Sequence, residues 1–292
     1  MLHSKANPIQ NFRGAPLFLK RMLGFIVGTA LISVPFTYAT KNESWSAEHS
    51  AQLWDKLQQN YRTVSKGKKE FIFPRIQAEI VKLASLALSP LSLLDDGCGS
   101  GYDIRRLLIE NAELLSTMHG IDTSEQGIAI ANSFAQSSTT LPILFSVKNR
   151  ALLEELESSQ KYDVILSTNV VPVLPTYEDL VGLFSQHARL LNTNGRILIT
   201  FISQELLKKP QVSHYYQVLS QGAAATQGPI PYRLRLAQMN DQSLEFDDHA
   251  WPTEVVAQAL NDAGLKVYGH EYLNDSSGPE VVHPFEFMVA GK

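Results

Sequence analysis

From residue 91 onward the chain alternates short apolar runs with longer stretches of helical periodicity, and that alternation leaves few folds open. The apolar runs fall at 91–94, 118–121, 143–147, 164–166 and 196–202. Helical patterns occupy 104–115, 125–134, 151–158 and 177–191 between them. Five strands separated by four helices predict a parallel sheet joined by right-handed crossovers. Asn194-Gly195 reads as the turn that opens the fifth strand, and Tyr162-Asp163 leads into the fourth. A further helix is predicted over 253–263, ended by Gly264 as a C-cap. Two final strands follow at 265–273 and 285–290.

The flanks divide the rest. Residues 1–40 form a hydrophobic N-terminal segment, in which Met22 to Ala39 run for eighteen residues without a charge behind Lys20 and Arg21. With Thr37-Tyr38-Ala39 as a small-x-small site, this pattern fits a secretory signal or a short membrane anchor, and an upstream extension outside the working enzyme fits as well. Membrane association through 22–39 is the corresponding expectation. Residues 41–90 read as a helical cap, with Trp45, Leu53, Trp54, Leu57 and Tyr61 at helical spacing, then Ile76, Ile80, Leu83 and Leu86. Pro74 fits the start of this second helix, and Pro90 lies just past its end. The stretch 203–250 holds Pro210, Gly222, Gly228, Pro229 and Pro231 and reads as an inserted lid.

Charge and cysteine usage remove several functions. The net charge is −4, and the only basic cluster, Lys66-Gly67-Lys68-Lys69, reads as a solvated helix end or loop, so no nucleic-acid partner is expected. The single cysteine, Cys98, excludes an internal disulfide framework and a cysteine-based zinc site. With 44% apolar and 18% charged residues, the 292-residue chain can bury an ordinary core.

The chemistry concentrates in Leu93-Leu94-Asp95-Asp96-Gly97-Cys98-Gly99-Ser100-Gly101-Tyr102-Asp103. An apolar strand runs into three alternate glycines and then a helix. Glycines let the backbone turn tightly and let a ligand approach without a Cβ in the way. The helix N-terminus offers unpaired N–H groups. Asp95, at the end of the strand, can accept hydrogen bonds from a cationic amine. The dinucleotide fingerprint would need a glycine where Tyr102 stands, and no Gly-Lys-Ser/Thr follows for a P-loop.

Asp-x-Gly-x-Gly-x-Gly after a first strand resembles the cofactor motif of class I S-adenosylmethionine-dependent methyltransferases, over roughly residues 90–202. The resemblance implies a Rossmann-like α/β fold: a seven-stranded, mostly parallel sheet with helices on both faces, closed by the two C-terminal strands. It implies S-adenosyl-L-methionine as cofactor, held by Asp95, Gly97, Cys98, Gly99 and Gly101. Asp122, which closes the second strand with Thr123 behind it, would take the ribose hydroxyls. Asn149 would face the adenine amino group, although a plain loop asparagine fits too. Asn169, after the fourth strand, would contact cofactor or substrate. A cofactor made inside cells favours the cytoplasm or the cytoplasmic face of a membrane, in tension with an export signal.

Thr168-Asn169-Val170-Val171-Pro172 does not match the Asn/Asp-Pro-Pro-Tyr/Phe of amino-methylating nucleic-acid enzymes. Asp247-Asp248-His249 has metal-ligand atoms but reads as a capping turn before Trp251-Pro252, and no metal site is expected. A small-molecule acceptor is left, methylated by in-line displacement. His214, Tyr216 and His249 are the candidate bases, with Tyr215, Tyr232 and Arg233 in the same insert. A methyltransferase-like module without catalysis and a nicotinamide-dependent oxidoreductase stay open as alternatives.

Overall fold

The computed structural model describes residues 72–135, 141–208, 216–223, 228–236, 245–275 and 282–292, all of them in the unit Ser44–Lys292. The hydrophobic segment 22–39, the helix expected around Trp45–Tyr61, His214 and Tyr215 lie outside these residues.

The chain enters with a helix over residues 72–86 (α1) and then alternates: β1 (Leu91–Asp96), α2 (Tyr102–Asn111), β2 (Leu115–Asp122), α3 (Glu125–Ala135), β3 (Ile143–Val147), α4 (Arg150–Ser159), β4 (Tyr162–Thr168), α5 (Tyr177–Leu190) and β5 (Leu191–Ile202). An insert of α6 (Gln204–Lys208), β6 (Tyr216–Gln221), β7 (Ile230–Leu236) and β8 (Glu245–Ala250) follows. The chain closes with α7 (Thr253–Asp262), β9 (Lys266–Asp275) and β10 (Val282–Gly291). The main sheet has the order β3-β2-β1-β4-β5-β10-β9. β10 is antiparallel to both β5 and β9, and the other neighbours are parallel. The expected seven-stranded Rossmann-like sheet is therefore present.

Alternation along each strand explains the two helical layers. Leu93, Val164 and Leu198 face one side and pack with α1, α2 and α3. Leu94, Ile165 and Ile197 face the other and pack with α5 and α7. The described part of the predicted helical cap belongs to the first layer: Ile72, Phe73, Ile76 and Ile80 of α1 are all buried against the sheet.

Three elements depart from expectation. The helix predicted to reach residue 115 stops at Asn111, and Leu115 already begins β2. Asn194-Gly195 lies inside β5 rather than opening it. The pairing with β4 is irregular there, jumping from Tyr162–Leu191 to Val164–Arg196. Asp247-Asp248-His249 is no capping turn. It lies in β8, paired with β7, and the position before α7 belongs to Pro252, which makes no side-chain cap. The predicted lid is thus a short helix and a three-stranded antiparallel sheet, β6-β7-β8.

Candidate cofactor and active site

Strand order reverses between β1, which leads to β2 on one side, and β4, which leads to β5 on the other. In open α/β sheets, ligands bind at the carboxyl ends of the strands beside such a switch point. Here those ends are Asp96-Gly97 on β1, Asp122 on β2 and Thr168-Asn169 on β4.

All three glycines of the turn have positive φ: 84° at Gly97, 52° at Gly99 and 73° at Gly101. A side chain is excluded twice over at the outer two. A Cβ on Gly97 would lie 2.4 Å from Val170 Cγ2, and one on Gly101 would lie 2.8 Å from the Phe145 ring. The turn is pinned from β2, since the N–H groups of Gly97 and Cys98 both donate to the Ile121 carbonyl. α3 presses on it as well: a Cβ on Gly127 would meet the Gly99 carbonyl oxygen at 3.0 Å. Gly101 ends the turn as the residue before α2.

Asp122 joins the turn to the next strand. One oxygen accepts from the Gly99 N–H at 2.8 Å and the other from the Ser124 N–H at 2.8 Å. Burial raises its pKa, while the N–H groups of Ser124 and Gly99 pull it down. Ser124 Oγ accepts in turn from Gly127 N–H at the start of α3, and Thr123 is exposed. Asp95 is fully buried on the α2 side of the sheet, and Cys98 packs into the same apolar cluster. The turn thus suits S-adenosylmethionine: three glycines where a Cβ would crowd or strain the backbone, a buried acid at Asp95 and a second acid at Asp122.

Asn169 sits at φ 60°, the one non-glycine residue with positive φ among those described. Its N–H donates to the Thr200 carbonyl, and its side-chain oxygen is buried without a hydrogen-bond partner among the described residues. Strained backbone and an unsatisfied buried acceptor at one residue are features that cluster at ligand sites. Asn149 is placed differently from expectation. Its Oδ1 accepts from the Leu152 N–H and caps α4. A helix cap is thus its first role, and its amide N–H₂ is what it could offer a ligand.

Of the candidate bases, Tyr216 is the first residue of β6. His249 is brought in on β8 and leans on the segment after β4, where its Nδ1–H donates to the Pro172 carbonyl at 3.2 Å. Burial pushes its pKa down, against smaller upward pulls from that carbonyl and from Asp247. Trp251 Nε1–H donates to the Leu174 carbonyl two residues further along, so the insert is tied to the β4 end at two points. Tyr232 is buried in the core, and Arg233 forms a bidentate pair with Asp247 on the exposed face. Among the described residues no His/Cys/Asp/Glu group could hold a metal ion, and no helix is long and apolar enough to cross a membrane.

Sequence reasoning missed two features. Thr168 Oγ1 donates to Asp103 Oδ2 at 3.1 Å, fixing the start of α2 to the end of β4. Asp96, next to Asp95, is also fully engaged: Lys148 Nζ donates to both its oxygens and His187 Nε2–H to one. The available signal was a second acid in a strand buried on both faces.

The profile of a methyltransferase-domain family matches residues 88–246, more than half of the chain. A search of curated protein sequences returned no match. Among solved structures, an S-adenosylmethionine-dependent methyltransferase from Clostridium acetobutylicum ATCC 824 is 15% identical, with a TM-score of 0.54 over 84% of this chain and 98% of that one. Magnesium protoporphyrin IX methyltransferase from Synechocystis PCC 6803, solved with bound SAH, is 16% identical, with a TM-score of 0.54 over 84% and 99%. An S-adenosylmethionine-dependent methyltransferase from Leishmania major is 14% identical, at 0.52 over 83% and 82%. At these identities the likeness is one of fold. The chain belongs to the methyltransferase-domain family, and it shares the fold of these S-adenosylmethionine-dependent methyltransferases.

Proposed function

We propose that this chain methylates a small-molecule acceptor by in-line displacement, with the glycine turn, Asp95 and Asp122 holding the cofactor. Bound S-adenosylmethionine supplies a methyl group already activated by its positive sulfur. The protein's share is alignment and exclusion of water. Holding two reactants at near-attack distance supplies about 7–11 kcal/mol.

The observation that carries this reading is the coupling of Asp122 to the turn. Its carboxylate holds Gly99 N–H and Ser124 N–H, which fixes its plane and leaves further lone pairs for two vicinal hydroxyls. Asp95, buried at the end of β1, would receive an ammonium. Asn169 offers its buried carbonyl at the end of β4. Its left-handed backbone carries the chain directly into the Val171–Val173 turn, on which His249 docks. His249, with Nδ1 committed to Pro172, presents Nε2 as the candidate base for a protonated acceptor.

Calorimetry tests the cofactor reading. S-Adenosylhomocysteine should bind, NADH should not, and the reverse result would sink it. Asp122→Ala should lose about 1.5–3 kcal/mol, roughly 10–150-fold in Kd, as expected for hydrogen bonds to a charged group. Transfer of labelled methyl to the small-molecule fraction of a cell extract tests catalysis and the acceptor class. Label found only in protein or nucleic acid would overturn the acceptor.

A further inference from the structure

Asp95 and Asp96 are adjacent at the end of β1, so strand alternation sends their carboxylates to opposite faces of the sheet. Asp96 is 1% exposed and lies on the α5 side. Lys148 Nζ sits 2.8 and 2.9 Å from its two oxygens, and His187 Nε2 lies 2.9 Å from Oδ2. His187 is itself fully buried, and its Nδ1 has no hydrogen-bond partner among the described residues.

Lys148 follows β3, and the sheet order there is β3-β2-β1. To reach Asp96 its side chain must span the end of β2, whose last residue is Asp122. The backbone does the same: the Lys148 N–H donates to the Asp122 carbonyl at 2.7 Å. One ammonium therefore lies between the carboxylates of Asp96 on β1 and Asp122 on β2. The charged groups that bear on Asp122 are Asp96 from β1 and Lys148 from the segment after β3, with the Gly99 and Ser124 N–H groups at its oxygens. Asp96 pushes the Asp122 pKa up and Lys148 pushes it down, both behind the larger effect of burial. Asp96 itself would be raised by burial, but Lys148 and His187 hold it well below the usual carboxylate range.

We propose that Lys148 is a positioning residue for cofactor binding: by neutralising Asp96 it leaves Asp122 as the one uncompensated negative charge at the end of β2, ionised for the ribose hydroxyls. The inference rests on the assignment of Asp122 made above. It explains why a buried acid is tolerated beside the turn, since it and its lysine form a strut between β1 and β3. It also makes cofactor affinity depend on a residue that need not touch the cofactor.

The test is S-adenosylhomocysteine binding by calorimetry from pH 5.5 to 8.5 on full-length wild type, Lys148→Met, Asp96→Asn and the double variant. Lys148→Met should move the acid limb of binding to higher pH and recover towards pH 8.5. A limb displaced by one pH unit corresponds to about tenfold weaker binding at any pH below the limb. Asp96→Asn should move the limb to lower pH, the opposite sense, and this arm stands even where Lys148→Met fails to fold. The double variant should return close to wild type. Loss of affinity that is equal at every pH, shifts of the same sign in both single variants, or a double variant as weak as Lys148→Met would each overturn the role of Lys148. A wild type that does not bind S-adenosylhomocysteine, or an Asp122→Ala variant that binds it unchanged, would instead overturn the assignment beneath it.

Discussion

Gly101→Ala isolates what the glycine turn contributes to the fold. The new Cβ carries two separate costs. A left-handed backbone, φ 73° here, costs a non-glycine residue about 1–2 kcal/mol. The same Cβ would stand 2.8 and 2.9 Å from Cζ and Cε1 of Phe145 and 3.2 Å from Ala131 Cβ. Forcing a methyl into packing of that kind costs about 1–3 kcal/mol. The stiffer unfolded chain offsets about 0.4–1 kcal/mol, which leaves a net loss of about 1–4.5 kcal/mol. Equilibrium urea unfolding without ligand measures it, as a fall in midpoint at unchanged slope. Phe145→Leu separates the two costs by removing the ring's far end. In that background Gly101→Ala should cost about 1–3 kcal/mol less, so the double-mutant cycle should show a coupling near the steric share. A wild-type-background loss below about 0.5 kcal/mol, or no coupling to Phe145, would refute the reasoning.

Other outcomes follow from single residues. His119 is buried between Tyr162 Oη and Ser146 Oγ, and burial depresses its pKa from 6.5 to about 4. The folded state holds this proton less tightly than the unfolded chain, so the contribution is full above pH 6.5 and is lost as pH falls towards 4. The change is about 3 kcal/mol, and His119→Gln should flatten the urea-derived stability over that window relative to wild type. For His249→Ala, methyl transfer to a protonated acceptor should fall about 10²–10⁴-fold while S-adenosylhomocysteine affinity holds. Because burial lowers the His249 pKa, the acid limb of the wild-type rate should reach half-maximum below pH 6.5; a half-maximum above 6.5 excludes this base. Trp251→Ala, at a site 1% exposed and bonded to the Leu174 carbonyl, should destabilise by about 3–5 kcal/mol in thermal or urea unfolding. A loss under 1 kcal/mol would mean that the insert is not anchored there.

The sheet was legible in the sequence because both its faces are buried. Val164, Ile165 and Leu166 are apolar in succession, which an α/β layer requires and a half-exposed strand would not. The glycine turn was legible because its backbone conformations admit almost nothing else. Legibility failed where one residue satisfies two periods. Leu114 and Leu115 continue the α2 pattern equally well as a helix end or a strand start, and pairing of Leu115 with Leu91 decides it. It failed again at β8, because Glu245, Asp247, Asp248 and His249 resemble a polar loop until β7 supplies the ladder partner. Asn149 illustrates a third kind: a cap and a ligand contact want the same residue type at the same helix start, and only coordinates show the Leu152 N–H already in its grasp. The ion pair of Asp96 could not be seen at all, because Lys148 lies 52 positions away and meets it only through the order of the strands.

The insert leaves the main sheet after β5 and returns before α7, and among the described residues its β6-β7-β8 sheet pairs with no strand of the main one. Besides the packing of Tyr232, Leu234 and Ala250 into the core, it meets the region beyond β4 through His249 and Trp251, which donate to the backbone carbonyls of Pro172 and Leu174. Carbonyls are present whatever residues occupy 172 and 174. A lineage could therefore exchange this cassette while the glycine turn after β1 inherits no compensating change. For an engineer the same joint marks where to cut: graft between Ser203 and Ala250, and keep Trp251.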